Sequence, residues 1–209
     1  NILNFYKIHL MYELSKQYEE ILYLDFDAVP VSNKSFFSAW DLTKGIAILT
    51  NRSHIDTNLH AKNMESFKKS SHSVRSPTAK YWNCRALLLE HNMSGKNQVY
   101  NTGIVGINHD HLKKLDYWNK FNELILDMKF LIKDKNSMFP IHIQNIFGYD
   151  NETIWSYKME MNNINVQFLN GEWHHFMDKW NYIPNDTNIV HVVNKNFKYV
   201  KDWYEKNNL

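Results

Sequence analysis

The chain has one cysteine, Cys84, among 209 residues. An intramolecular disulfide is therefore impossible, and a multi-cysteine zinc site is excluded. Thiol usage this low fits a reducing compartment, so the expectation is a cytoplasmic protein. Six glycines and four prolines leave little material for phosphate-cradling loops, and no P-loop is present. No apolar run approaches the roughly 18 residues of a membrane span, and no signal-peptide pattern is visible behind Asn1. Charge of one sign is lacking too. Lys and Arg number 24 against 22 Asp and Glu, a formal net charge of +2, and no basic arm suited to nucleic acid exists. The most basic segment, FKKSSHSVR (Phe67–Arg75), reads as a solvated loop. There is no internal repeat and no low-complexity linker.

What is present is a core-forming composition. Hydrophobic residues make up 44% and aromatics 15%, which argues against disorder and for a single domain over residues 1–209. NFYKIHLMYELSKQY (Asn4–Tyr18) has apolar residues at helical spacing and predicts an amphipathic helix. EILYLDF reads as a buried strand stopped at Val29-Pro30, because proline cannot donate to a ladder. SFFSAW predicts a short helix and GIAILT a second buried strand. The polar stretch from Asn51 to Ser76 has little period, as expected of a segment that is either functional or mobile. Thr78–His91 reads as a helix, and VYNTGIVGIN (Val99–Asn108) as an apolar strand interrupted by Asn-Thr-Gly.

His109–Asp134 predicts one long helix or two short ones, capped by Asp110. DNETIWSYKMEM predicts a helix with acids in its first turn. NVQFLN and TNIVHVVN read as strands, and FKYVKDWYEK as a closing amphipathic helix. This alternation predicts an α/β fold, a mainly parallel central sheet flanked by helices. In such sheets ligands bind beyond the carboxyl ends of the strands.

ILYLDFDAVPVSN (Ile21–Asn33) aims two carboxylates at such an end. In extended chain, residues i and i+2 share a side, so Asp25 and Asp27 can converge while Phe26 turns into the core. Two close carboxylates resist joint ionisation unless a cation lies between them, and hard oxygens suit Mg²⁺ or Mn²⁺. The plain alternative is a pair of aspartates that caps a turn.

The segment YKIHLMYELSKQYEEILYLDFDAVPVSN resembles the helix, strand and D-x-D element of GT-A nucleotide-sugar glycosyltransferases. The closest group is the family-8-like one, with galactosyltransferases and glycogenin. VYNTGIVGIN resembles its N-[ST]-G strand beside the donor sugar, and YDNETIWSYKMEMNNINVQFLNGEWHHF its D-Q-D segment. IVHVVNKNFKYVKDWY resembles its closing I-x-H segment, although Val192, Val193 and Asn194-Lys195-Asn196 stand where the group has a glycine and K-P-W. The group's base-binding strand and helix precede the D-x-D; with 24 residues before Asp25, that portion is expected to be shortened or missing.

The resemblance implies a GT-A-like fold and transfer of a sugar from a nucleotide-diphosphate sugar, with UDP as the nucleotide. The acceptor is a carbohydrate or glycoconjugate, and retention is the implied outcome. It implies Mn²⁺ or Mg²⁺ held by Asp25, Asp27 and His191. Asp25, Asn101, Thr102, Gly103 and Lys195 would meet the donor, and Asp150 and Glu152 would be the catalytic carboxylates. By spacing alone, His109 with His111, or His174 with His175, are further candidate ligands, and Trp173 a candidate sugar platform or a core residue. Two other functions compete. A nucleotidyltransferase would use the same carboxylates but needs the absent glycine-rich loop. A non-catalytic, transferase-like binding domain would keep the fold without turnover.

Overall fold

A computed structural model describes residues 3–50, 99–133, 151–178 and 181–207. The expectations placed on Asn51–Ser76, on Thr78–His91, on Cys84 and on Asp150 lie outside the described residues. The chain divides into two compact units. One is drawn from Asn1–His9, Thr50–Tyr100 and Lys113–Asn163, the other from Leu10–Leu49, Asn101–Leu112 and Ile164–Leu209.

The elements of the second unit carry the candidate site. Helix α1 (Leu3–Leu14) leads into strand β1 (Glu20–Leu24), and β2 (Ala28–Pro30) follows after three residues. Helix α2 (Phe36–Ala39) starts at Ser35, whose hydroxyl accepts from Ser38 N. Strand β3 (Ile46–Thr50) begins after Gly45, where φ is 153° and an added Cβ would meet Asn165 O at 2.6 Å. Glycine is required there because the neighbouring chain runs so close. Strand β4 (Tyr100–Asn108) is buried throughout and runs unbroken through Asn101-Thr102-Gly103, so the expected interruption is absent. Strands β5 (Val166–Phe168), β6 (His175–Phe176) and β7 (Ile189–His191) precede the last helix of the chain.

One sheet has the order β1-β4-β3-β5, the other β2-β7-β6. Pairs β1·β4 and β2·β7 are antiparallel, while β3·β5 and β6·β7 are parallel. The α/β architecture holds, and the sheets are mixed. Pro30 does not stop a continuous strand. It ends β2, a separate short strand paired to β7, where a missing N–H costs least. Ala28, Phe36, Leu42, Ala47, Ile104, Leu169, Trp173 and Ile189 form one apolar cluster against the first sheet. Val31, Met177, Ile183, Val190, Val192 and Val200 form a second, closed by Trp203 and Tyr204.

Of the one long helix or two short ones predicted from His109, the structure has two. Helix α3 (His109–Leu115) and α4 (Phe121–Lys133) are separated by a turn whose Asp116 and Lys120 have φ of 45° and 55°. Asn108, rather than Asp110, caps α3: its side-chain oxygen accepts from His111 N at 2.9 Å. Helix α5 (Asn151–Met161) is buried along most of its length and packs Trp155 against Tyr117, ring centroids 6.1 Å apart. Helix α6 (Phe197–Asn207) closes the chain in the second unit. The amphipathic expectation for α1 is only partly met. Ile8 and Met11 are buried, but Tyr6 and Leu10 stay exposed on the same helix. No helix among the described residues is long and apolar enough to cross a membrane.

Candidate metal and donor site

The Asp25–Asp27 segment is the crossing from one sheet to the other. It leaves β1 at Leu24 and enters β2 at Ala28. Asp25 N donates to Gly103 O at 2.7 Å, which ties the segment to β4. Val192 N donates to Asp27 O at 2.7 Å, which ties it to the end of β7. The crossing is a turn rather than extended strand, closed by Ala28 N to Asp25 O at 2.8 Å. Phe26 consequently points outward and is 85% exposed, opposite to the inward orientation expected of a strand.

The aspartates nevertheless converge. Asp25, Asp27 and His191 each offer one donor atom, and these atoms lie within 4.8 Å of one another. His191 arrives through register, since β2 and β7 pair Ala28 with His191. Its Nε2 stands 3.5 Å from Asp27 Oδ1. Asp27 and His191 are buried, at 5% and 7% exposure, and Asp25 is half-buried. Water screens such charges poorly.

Lys195 offsets the charge of Asp27. Its ammonium sits on Asp27 Oδ2 and lies 4.5 Å from the centroid of the Phe26 ring. The exposed Phe26 thus makes a cation–π contact with the lysine ammonium. Lys195 itself has φ of 59°, a left-handed conformation that turns the chain after β7 back towards Asp27.

Two further residues hold this arrangement: Tyr23, which was not anticipated, and His174, expected only as a ligand candidate beside His175. Tyr23 donates its hydroxyl to Asp25 Oδ1 at 2.8 Å. Burial, then the bond and the negative charge of Asp25, push the phenol well above its ordinary range, so it stays a donor. The signal was available only as proximity, because Tyr23 precedes Asp25 by two. His174 lies 3.0 Å, Nε2 to Nδ1, from His191. Burial holds its pKa well below the usual histidine value, and the neighbouring His191 adds to this, so His174 is neutral. No sequence spacing signals this pair. It exists because β6 and β7 run parallel in adjacent positions.

The Asn-Thr-Gly stretch lies beside His191. Asn101 Oδ1 accepts from Gly103 N at 2.9 Å. An added Cβ at Gly103 would stand 2.9 Å from both that oxygen and His191 Nδ1. Thr102 takes the opposite face by strand alternation and is fully buried. Glu152 is buried in the first turn of α5, in the other compact unit. Asp150 lies outside the described residues.

The other histidine candidates are otherwise engaged. His109 Nδ1 is 3.0 Å from Ser15 O and His111 Nδ1 is 2.7 Å from Asn108 Oδ1. His175 Nε2 bonds Tyr182 O at 2.7 Å. Trp173 is buried edge-on against Phe36, centroids 5.5 Å apart, so it is a core residue and presents no platform to a sugar.

No protein-family model matches the chain, and no curated protein does. Solved structures similar to it include a galactosyltransferase, LgtC, in complex with donor and acceptor sugar analogs, at 13% identity and TM-score 0.46. That likeness covers 88% of this chain and 57% of the other. Mouse xyloside xylosyltransferase 1, apo form, is similar at 12% identity and TM-score 0.43, covering 91% of this chain and 64% of that one. The apo structure of WbbM, a bifunctional glycosyltransferase, is similar at 15% identity and TM-score 0.45, covering 95% and 34%. The chain thus spans less than two thirds of each of these three.

Proposed function

We propose that this chain is a metal-dependent glycosyltransferase of the GT-A type, moving a sugar from a UDP-sugar to a carbohydrate or glycoconjugate acceptor with retention. One observation carries the reading. Asp25 and Asp27, and His191 from far along the chain, bring their donor atoms within 4.8 Å of one another at the crossing between two sheets. The donor set fits the group. Two carboxylates and a neutral imidazole suit Mn²⁺, and the carboxylates alone suit Mg²⁺. Bound there, the cation would supply Lewis-acid neutralisation of the departing diphosphate.

The remaining work falls to side chains of the chain. Lys195, half exposed and already on Asp27, is within the same charged cluster and suits a diphosphate oxygen. Tyr23 orients the Asp25 carboxylate through its hydroxyl. Gly103 and the Asn101 side chain would border the donor sugar. Asp150 and Glu152 are the carboxylates assigned to the reacting sugar, where they would orient donor and acceptor or stabilise positive charge on the ring.

The test is calorimetric titration of UDP with and without Mn²⁺, on the wild type and on Asp27→Ala, each shown to be folded by circular dichroism. Binding that requires Mn²⁺ and is lost in Asp27→Ala is the expected outcome. Folded protein that ignores UDP under both conditions sinks the reading.

A further inference from the structure

The imidazole of His191 has two nitrogens with different neighbours. Nε2 faces Asp27 at 3.5 Å, and Nδ1 faces His174 Nε2 at 3.0 Å. A histidine that gives a lone pair to a cation through Nε2 must carry its proton on Nδ1, and that proton needs an acceptor. His174 Nε2 is placed to accept it. We propose that His174 is a positioning residue that holds His191 in the Nδ1-protonated tautomer and so frees Nε2 for a cation between Asp25 and Asp27. This rests on the metal-site reading above and adds to it a residue outside the ligand set.

The surroundings suit that role. His174 is 2% exposed, so water does not compete for the bond. Its ring lies 4.7 Å, centroid to centroid, from Phe176, which in turn stacks on His191 at 5.2 Å and 26°. The two imidazoles and the phenyl ring form one packed group, so neither histidine can rotate alone. With Nε2 as acceptor, His174 must carry its own proton on Nδ1. That atom is buried without a hydrogen-bond partner among the described residues. An unpaired buried N–H is a cost the fold carries. It persists here because the acceptor nitrogen is turned towards His191.

The experiment compares Mn²⁺ affinity by calorimetry in wild type, His174→Leu and His174→Gln. The glutamine oxygen can accept in place of Nε2; leucine cannot. Affinity is expected to fall about 10–100-fold in the leucine variant and to stay near wild type in the glutamine variant. A second readout needs no variant. In Zn²⁺-loaded wild type, long-range proton–nitrogen NMR correlations are expected to show both His191 and His174 protonated at Nδ1. Zn²⁺ serves as a diamagnetic ion that takes the same oxygen and imidazole donors. Wild-type affinity in His174→Leu, a glutamine variant as weak as the leucine one, or a proton on His174 Nε2 overturns the proposal alone. Wild type that takes up no Mn²⁺ overturns the metal reading, and the proposal with it.

Discussion

Gly103 leaves no room for a side chain beside His191. A Cβ there would stand 2.9 Å from His191 Nδ1 and nearer still to Cε1. The glycine is in a buried strand, where it would ordinarily weaken the sheet. Its value is the space it gives the imidazole. Gly103→Ala is therefore expected to displace the ring while leaving the strand paired. Stability should fall by about 1–3 kcal/mol, the usual cost of overpacking. Mn²⁺ affinity should fall at least about tenfold, as when a ligand's support is lost. Urea unfolding and calorimetry measure the two effects separately. An alanine variant that binds Mn²⁺ like wild type would show that His191 does not need that space.

Tyr23 offers a milder perturbation of the same site. Tyr23→Phe deletes one hydroxyl, which donates to Asp25 Oδ1 at 2.8 Å. Stability should drop by about 0.5–1.5 kcal/mol. The freed carboxylate should bind Mn²⁺ more weakly, by a factor near the lower end of the roughly 10–100-fold range for such partners. Unchanged affinity in calorimetry would mean that Asp25 is oriented by something other than the tyrosine.

Lys158 governs the other unit. Its Nζ donates to Asp116 O at 2.9 Å and to Asn119 O at 2.6 Å, both in the turn between α3 and α4. Lys158→Met strands these carbonyls and should cost about 1–3 kcal/mol in urea unfolding. Burial lowers the folded pKa of Lys158 below its ordinary 10.5. Between the two values the unfolded chain holds more protons, so stability rises with pH through that window. The gap in stability between wild type and Lys158→Met should therefore widen as pH climbs towards 10.5. A gap that narrows over that range would reverse the assignment.

The elements that were legible are those with local causes. The strands at Glu20–Leu24 and Ile46–Thr50 and the helices from Asn151 and Phe197 follow from runs and periods within a few residues. The failures are local too. Phe26 faces outward because the chain has already left β1 when it reaches Asp25, and alternation no longer applies. Asp110 loses the cap to Asn108 because the helix follows β4 without a loop. Of the two readings of Trp173, the core one holds, and its cause is not local: Phe36, distant in sequence, packs on its edge.

The amino-acid order by itself determined that two aspartates would follow an apolar strand, with a tyrosine two residues before the first of them. It also set a histidine in a late apolar strand and a glycine in an earlier one. Only the tertiary structure decided that these meet. The antiparallel pairing of β2 with β7 carries His191 to Asp27, and the turn after β7 carries Lys195 there. The parallel pairing of β6 with β7 sets His174 behind His191. Such contacts depend on long-range strand register, where a slip of one residue turns each side chain to the opposite face. No spacing within the sequence encodes that register.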